Sequence, residues 1–345
     1  MADKGVATVT TNQTLPETDV DDTKRRFQAY ILIDGKAKKA GVEEATQAVA
    51  AGAQLVWMHF DLERGARLDF ADCPFHIPDV ARDSLTAFET RPRTDQLGDG
   101  VILNLRGLGE IEKYGGDPLV SLRIWAENNL VITASFRELL SMHIVREAML
   151  AGRYTDAGDI IAALADSITE ALDPKVADLG DRLDDIESVL DTARRPMAIR
   201  KRVSRVRQLA ISYRRFIAPQ RGALERLSLL DVKWLDESDL VKLRGASDRC
   251  ARMAEELEAV RERAAVAHDE LTDMRSEVID RRSFFMSIIA MIFLPLTFIT
   301  GLLGMNVAGI PYANHPDAFL WVTGGCVLLG VVIIAWFSIH KWFQS

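Results

Sequence analysis

Two long runs of apolar residues near the C-terminus constrain this chain more than any other feature. Phe284 to Leu303 and Phe319 to Ile339 contain no charged side chain, and each is about as long as the 20 residues that a helix needs to cross a bilayer. The rest of the 345-residue chain is polar. The sequence therefore predicts a membrane protein in which a large polar region precedes two C-terminal transmembrane helices.

The charges that flank these runs predict their orientation. Arg281 and Arg282 precede the first run and Lys341 follows the second, whereas residues 304–318 contain neither Lys nor Arg. The positive-inside rule then places both termini in the cytoplasm, with the plasma (inner) membrane spanned twice. No apolar signal segment opens the chain, which agrees with a cytoplasmic N-terminal region. The net charge of −8 gives no support for a nucleic-acid partner.

The polar region alternates between strand-like and helix-like segments, which predicts an α/β layer domain. The strand-like segments are Phe27 to Ile33, Gln54 to Phe60, Gly100 to Arg106 and Leu119 to Ala134, and the predicted helices are Val42 to Ala50 and Val80 to Phe88. An acidic segment, Asp178 to Asp191, and a basic segment, Arg194 to Arg226, flank Pro196. They predict an antiparallel helical hairpin with complementary charged faces, although the acidic limb is alternatively a cation sensor.

These observations divide the chain into successive segments. We predict a disordered N-terminal tail at 1–26, an α/β cytoplasmic domain at 27–135, a cytoplasmic helical region at 136–237, a stalk helix at 238–283, transmembrane helix 1 at 284–303, an external loop at 304–318, transmembrane helix 2 at 319–339 and a cytoplasmic tail at 340–345.

The polar residues do not form an enzyme-like pattern. The histidines of the polar region lie in no HExxH or GxSxG motif, and no glycine-rich phosphate loop follows a predicted strand. The three cysteines are widely spaced, and Cys73 with His76 forms only a single C-x-x-H pair. We therefore expect neither an enzyme nor a bound cofactor.

A stripe of polar and small residues runs along the predicted stalk and the first span. Steps of alternately four and three residues keep one face of a slightly supercoiled helix toward a shared axis. The stripe positions are Asp269, Asp273, Ser276, Asp280, Ser283, Ser287, Ala290, Leu294, Thr297, Gly301 and Gly304. Small residues alone also allow close helix packing. The upstream carboxylates favour a pore lining instead, with Leu294 as a constriction that gates by dewetting.

The first span closes on Gly304-Met305-Asn306, within the run MIFLPLTFITGLLGMN. A GMN tripeptide between two C-terminal spans resembles the CorA superfamily of divalent-cation transporters. Further stretches resemble its ZntB-type zinc transporter subfamily, namely Thr90 to Arg93, Leu97 to Gly100, YRRFIAPQR from Tyr213 to Arg221, and Gly309 to Pro311.

This resemblance implies a CorA-like pentameric funnel: an α/β head, a long stalk helix that becomes the pore-lining span, and an outer span. It implies a homopentamer in the lipid bilayer that transports Zn²⁺, coupled to protons, with a ring of Asn306 side chains at the outer mouth. Asp269, Asp273, Asp280 and His315 are further candidates for contact with the metal ion, since carboxylates and imidazole are common metal ligands.

Two alternatives remain at this point. The first is a CorA-type channel for Mg²⁺ or Co²⁺ that is driven by the membrane potential. The second belongs to a different class, a membrane-anchored cytoplasmic scaffold or sensor that transports nothing.

Overall fold

The computed structural model describes residues 8–11, 27–62, 66–69, 75–88, 90–109, 119–190, 196–305, 310 and 315–339. The chain divides into two compact units, residues 1–268 and 269–345. Within the described ranges the strands are β1 (Thr8–Thr11), β2 (Phe27–Ile33), β3 (Lys36–Ala40), β4 (Leu55–Asp61), β5 (Ala66–Asp69), β6 (Arg93–Leu97), β7 (Gly100–Leu108), β8 (Leu119–Glu127) and β9 (Leu130–Ser135). The helices are α1 (Val42–Ala50), α2 (Asp79–Thr86), α3 (Leu140–Leu150), α4 (Ala157–Glu187), α5 (Pro196–Ser228), α6 (Glu237–Leu303) and α7 (Ala318–Ile339).

A seven-stranded sheet with the order β3-β2-β4-β9-β8-β7-β6 organises the first unit. The β4–β9 pair is parallel, and the other neighbouring pairs are antiparallel. Strands β4, β7, β8 and β9 are buried almost continuously along their length, because helices contact both faces of the sheet. This two-sided burial explains why these strands are nearly uniform apolar runs in the sequence.

One face of the sheet forms an apolar core with α1 and α2. Alternate residues of the central strands, such as Met58 and Ile132, pack there with Ala45 of α1 and Leu85 of α2. Helices α3, α4 and α5 also contact the sheet. On α5 the Gln220 side chain accepts a hydrogen bond of 2.6 Å from the backbone N–H of Arg106 in β7. The α/β domain predicted from the sequence is thus confirmed.

The sequence analysis missed β3 and β6, and their place in the sheet gives the reason. β3 and β6 are the two edges of the sheet, and exposed lysines of β3 replace the apolar alternation that marks an inner strand. Charged edge strands protect a sheet against pairing with other chains. The predicted segment Leu119 to Ala134 is two strands, β8 and β9, because Asn128 turns the chain with a positive φ of 51°.

The predicted disordered tail requires a correction at one place. Thr8–Thr11 forms β1, which pairs antiparallel with β5. The sequence TVTT is β-branched throughout, a composition that favours a strand. The other residues of the predicted tail lie outside the described ranges.

Among the described residues, the acidic limb of the predicted hairpin forms its ion pairs between helices with α6 and not with α5. Asp184 and Glu187 at the end of α4 both pair with Arg263, and the Asp184 contact is 2.5 Å long. Asp166 pairs with Arg249 in the same way. The hairpin itself is present, with Pro196 at the first residue of α5, as expected for a proline that cannot donate a backbone hydrogen bond.

Arg123 of β8 is a charged residue in the core that the sequence analysis overlooked. Its side chain is 1% exposed. Its guanidinium donates to the carbonyl oxygens of Ala87, Ser121 and Phe88 at 2.7–3.1 Å, and it lies 4.6 Å from the Phe136 ring centre. Burial, with a smaller contribution from Arg106, lowers the pKa of Arg123 to about 10, so the side chain stays charged at neutral pH.

Gly100 provides a test of how closely the sheet packs. A Cβ at this position would overlap the indole ring of Trp125, which is buried. We expect Gly100→Ala to destabilise the first unit by about 1–3 kcal/mol, since the buried ring or the strand must shift to admit the methyl group. Thermal unfolding of the purified protein measures this loss.

Gly222→Ala on α5 is the matched control. No atom lies within 4 Å of a Cβ at Gly222, so the same substitution should stabilise this helix by about 0.5–1 kcal/mol. Equal effects of the two substitutions would contradict the packing described for Gly100.

Candidate ion-conduction pathway

The polar stripe lies on one continuous helix. α6 extends without a break from Glu237 through Pro295 to Leu303, and Gly304 follows directly. Every stripe residue, from Asp269 to Gly304, is exposed in the single chain. Leu294, the large apolar member, is 76% exposed.

A different face of the same helix is partly covered. Phe284, Ile288, Ile292, Leu296 and Ile299 are half-buried. At 100° per residue, the centre of this face lies roughly 140° around the helix from the centre of the stripe. The half-buried apolar face and the stripe therefore lie on nearly opposite sides of the helix.

The covered face contacts α7. An apolar cleft between the two helices is lined by Ile299 and Leu303 of α6 and by Val322, Gly325, Cys326, Leu328, Leu329 and Val332 of α7. α7 thus lies against Ile299 and Leu303 of α6, and within the described residues the stripe is left uncovered. Both helices are long and apolar enough to cross a membrane.

The hydroxyl groups on the stripe bond back to their own helix. The Ser287 Oγ donates to the carbonyl oxygen of Ser283 at 3.0 Å, and the Ser276 Oγ donates to that of Thr272 at 3.2 Å. Because the hydroxyl proton is engaged, the oxygen lone pairs remain available as acceptors. Such oxygens can solvate a cation or the water bound to it.

The carboxylates of the stripe face solvent. Asp269, Asp273 and Asp280 are exposed and have no ion-pair partner among the described residues. On an ideal helix, Arg275, Arg281 and Arg282 lie roughly 80° or more away from the stripe centre. The acidic line is therefore not neutralised by arginines of its own helix.

A single chain does not complete a metal site in the described ranges. No group of three or more His, Cys, Asp or Glu side chains in these ranges has the geometry to hold a metal ion. Each turn of the stripe offers at most one side chain with an oxygen ligand, whereas Mg²⁺ and Zn²⁺ require four to six ligands. Several copies of the stripe would have to converge to surround an ion.

The GMN motif begins where α6 ends. The Gly304 backbone N–H donates to the carbonyl oxygen of Thr300 at 2.9 Å, and Met305 is 48% exposed. Asn306 lies outside the described residues, as do Gly309 and Pro311. The Thr300 hydroxyl, to which the sequence analysis gave no role, donates to the carbonyl of Leu296 at 2.9 Å and supports the turn after Pro295.

His315 makes two contacts before α7. Its Nδ1 accepts a hydrogen bond of 3.2 Å from the backbone N–H of Asp317, and its ring stacks on Trp321 at 4.7 Å. An accepting Nδ1 places the ring proton on Nε2 in the neutral form. Contact with a metal ion, as predicted for His315, would therefore require loss of this hydrogen bond or of the Nε2 proton.

The other stretches quoted for the resemblance lie together in the first unit, away from the stripe in sequence. The Arg106 guanidinium of β7 donates to the Thr90 carbonyl oxygen at 3.3 Å. Arg106 of β7 lies 3.9 Å from the ring centre of Phe216, within YRRFIAPQR. Trp234 donates to the Asp99 carbonyl at 3.0 Å. These stretches thus have a packing role between the sheet and α5.

The sequence model of the CorA-like Mg²⁺ transporter protein family matches residues 52–341. The chain belongs to this family. Two relatives are zinc transport proteins ZntB. The match to ZntB of Yersinia enterocolitica is 31% identical and covers 90% of this chain and 94% of the relative. The match to ZntB of Pectobacterium carotovorum is 30% identical and covers 91% of this chain and 95% of the relative. The chain is accordingly a divalent-cation transporter of the CorA family and not an enzyme, as predicted.

Solved structures of related proteins share this fold. Full-length CmaX matches with a TM-score of 0.72 and 27% identity, covering 90% of this chain and 97% of CmaX. The CorA magnesium transporter of Methanocaldococcus jannaschii matches with a TM-score of 0.72 and 15% identity, and the match covers 92% of this chain and 98% of that transporter. The predicted fold class, an α/β domain followed by a long helix and two C-terminal apolar helices, is confirmed.

Cysteine accessibility tests whether the stripe lines a wet path. In a variant whose native cysteines are replaced by serine, Ser287→Cys and Thr297→Cys should react with a water-soluble thiol reagent at least about tenfold faster than Ile292→Cys, because thiolate formation requires water. The purified protein in lipid nanodiscs is the sample, and mass spectrometry gives the rates. Faster labelling of Ile292→Cys would contradict the assignment of the faces.

Proposed function

We propose that this chain takes up Zn²⁺ through a homopentameric pore in the inner membrane, with both termini in the cytoplasm. The observation that carries the pore is the uncovered stripe of α6, in which carboxylates are followed by hydroxyls on the side away from α7. The support for zinc is the name of relatives that are about 30% identical over nine-tenths of the chain.

The stripe suggests how an ion moves. At the outer mouth, a ring of Asn306 amide oxygens holds a cation that keeps its waters, as suits ions that lose water reluctantly. Within the span, the oxygens of Thr297, Ser287 and Ser283 replace part of the solvent around the ion. On the cytoplasmic side, rings of Asp280, Asp273 and Asp269 attract the cation electrostatically and draw it out of the membrane.

Leu294 divides this path. It is the large apolar residue on the stripe, and a ring of leucines excludes water from a narrow pore. Ion passage then requires the ring to widen, so that Leu294 acts as the gate. Pro295 follows directly and donates no backbone hydrogen bond, which provides a point at which the helix can bend.

The second candidate is a channel for Mg²⁺ or Co²⁺. The described part of the stripe supplies oxygen ligands only, and oxygen suits hard cations such as Mg²⁺. The matching family is also described by Mg²⁺ transport. Zinc uptake is favoured because the ZntB relatives match about nine-tenths of the chain.

Ion flux into liposomes tests the proposal. The purified protein should take up Zn²⁺ faster than Mg²⁺ or Co²⁺, and an inward proton gradient should accelerate the Zn²⁺ flux. Asn306→Ala should lower uptake by at least about tenfold, which corresponds to 1.4 kcal/mol of lost stabilisation. Faster uptake of Mg²⁺ would favour the second candidate. A Zn²⁺ flux that does not change with the pH gradient would contradict the proposed proton coupling.

The gate has its own test. Leu294→Ser should raise the resting flux several-fold, because a hydroxyl ring lets water enter the constriction. Leu302→Ser is the matched control, since Leu302 lies on the same helix but off the stripe, toward the half-buried face. A larger increase from Leu302→Ser than from Leu294→Ser would contradict the proposed gate.

A further inference from the structure

Two helix N-termini meet inside the first unit, at the residue where α6 begins. The Asp236 Oδ1 accepts from the Asp239 backbone N–H at 2.9 Å, and the Asp239 Oδ2 accepts in return from the Asp236 N–H at 3.4 Å, which is a reciprocal capping box. At the start of α4, Asp156 accepts from the Asp159 N–H at 3.0 Å. A Cβ on Gly158 would overlap both the Asp239 Oδ2 and the Trp234 carbonyl oxygen.

Asp239 is buried in this junction with little to stabilise its charge. Its side chain is 1% exposed, and its Oδ1 has no hydrogen-bond partner within the described chain. The carboxylates of Asp156 and Asp159 on α4 and of Asp236 beside α6 all act on it. Lys242 is the cation that faces the group, 3.8 Å from the Asp239 Oδ1 and 3.3 Å from the Asp159 Oδ1.

The protonation equilibrium follows from this environment. Burial raises the pKa of Asp239 to about 6, and the neighbouring carboxylates add to the rise, whereas the hydrogen bond from the Asp236 backbone opposes it. Because the pKa is higher in the packed state than in an opened, solvated state, the packed state binds the proton more tightly. Its stability is therefore greatest at acidic pH and falls as pH rises through about 6.

We propose that Asp239 is a proton-responsive latch: protonation of its carboxyl group strengthens the packing of the first turn of α6 against the first turn of α4. Protonation removes a buried, poorly solvated charge and its repulsion with three aspartates. Above the transition the junction opens more often. The latch has a role in transport only through the proposed function, in which α6 is the pore-lining helix.

Hydrogen exchange of the full-length protein in nanodiscs tests the latch, with a chelator present to keep divalent ions away. After correction for intrinsic exchange rates, peptides covering 155–163 and 236–245 should be roughly tenfold more protected at pH 5 than at pH 7.5, as a pKa near 6 requires. In Asp239→Asn, which mimics the protonated group, this difference should vanish. Asp185→Asn, an exposed position on α4, is the matched control and should retain it.

Two results would overturn the latch: protection in the wild type that does not change with pH, or a pH dependence that survives in Asp239→Asn. If Asp239→Asn fails to fold, the same hydrogen-exchange measurement on Lys242→Gln tests the latch. Loss of the facing cation should move the pH midpoint of the change in protection to higher pH. An unmoved or lowered midpoint would refute the proposal. None of these readouts is ion flux, so the proposed transport function stands or falls separately.

Discussion

The exposed stripe of α6 is the constraint on which the account of this protein depends. In hydrocarbon, polar groups without a partner cost free energy, so they must face protein or water. α7 lies against the side of the span that carries Ile299, while the stripe on the opposite side has no cover within the described residues. Copies of the same helix that converge on their stripes would satisfy this requirement and would also create the passage.

The same helix uses its charges differently along its length. In the first unit, α6 is tied to its neighbours by ion pairs: Arg249 and Arg263 bind acidic residues of α4, and Glu258 binds Arg214 of α5 at 2.8 Å. Partly exposed pairs of this kind contribute about 1 kcal/mol or less each. From Asp269 onward the stripe carboxylates lack such partners among the described residues, so ion pairs do not neutralise their charge there.

The sequence predicts the features that periodicity and length encode. Apolar patterns predict the two spans and the boundaries of α1 and β2. The spacing of polar and small residues predicts the stripe. The edge strands β3 and β6 were not predicted, because their exposed residues do not alternate between apolar and polar. Likewise, charge composition predicts that α4 and α5 form a hairpin, but it does not reveal that Arg263 of α6 receives the acidic residues, because that choice depends on three-dimensional packing.

The candidate site shows the same division. The stripe could be found by counting along the helix, whereas the role of Asp239 could not, because it depends on the close approach of Gly158, which is about 80 residues earlier in the chain. A D-x-x-D spacing at the start of α6 is the signal that was available, and it indicates only a helix cap.

A density map of the assembled protein in lipid tests the central claim most directly. The account predicts a ring of subunits in which Ser287 and Thr297 of every copy surround a continuous axial path. A map in which these residues face lipid, while Leu302 lines the centre, would contradict it.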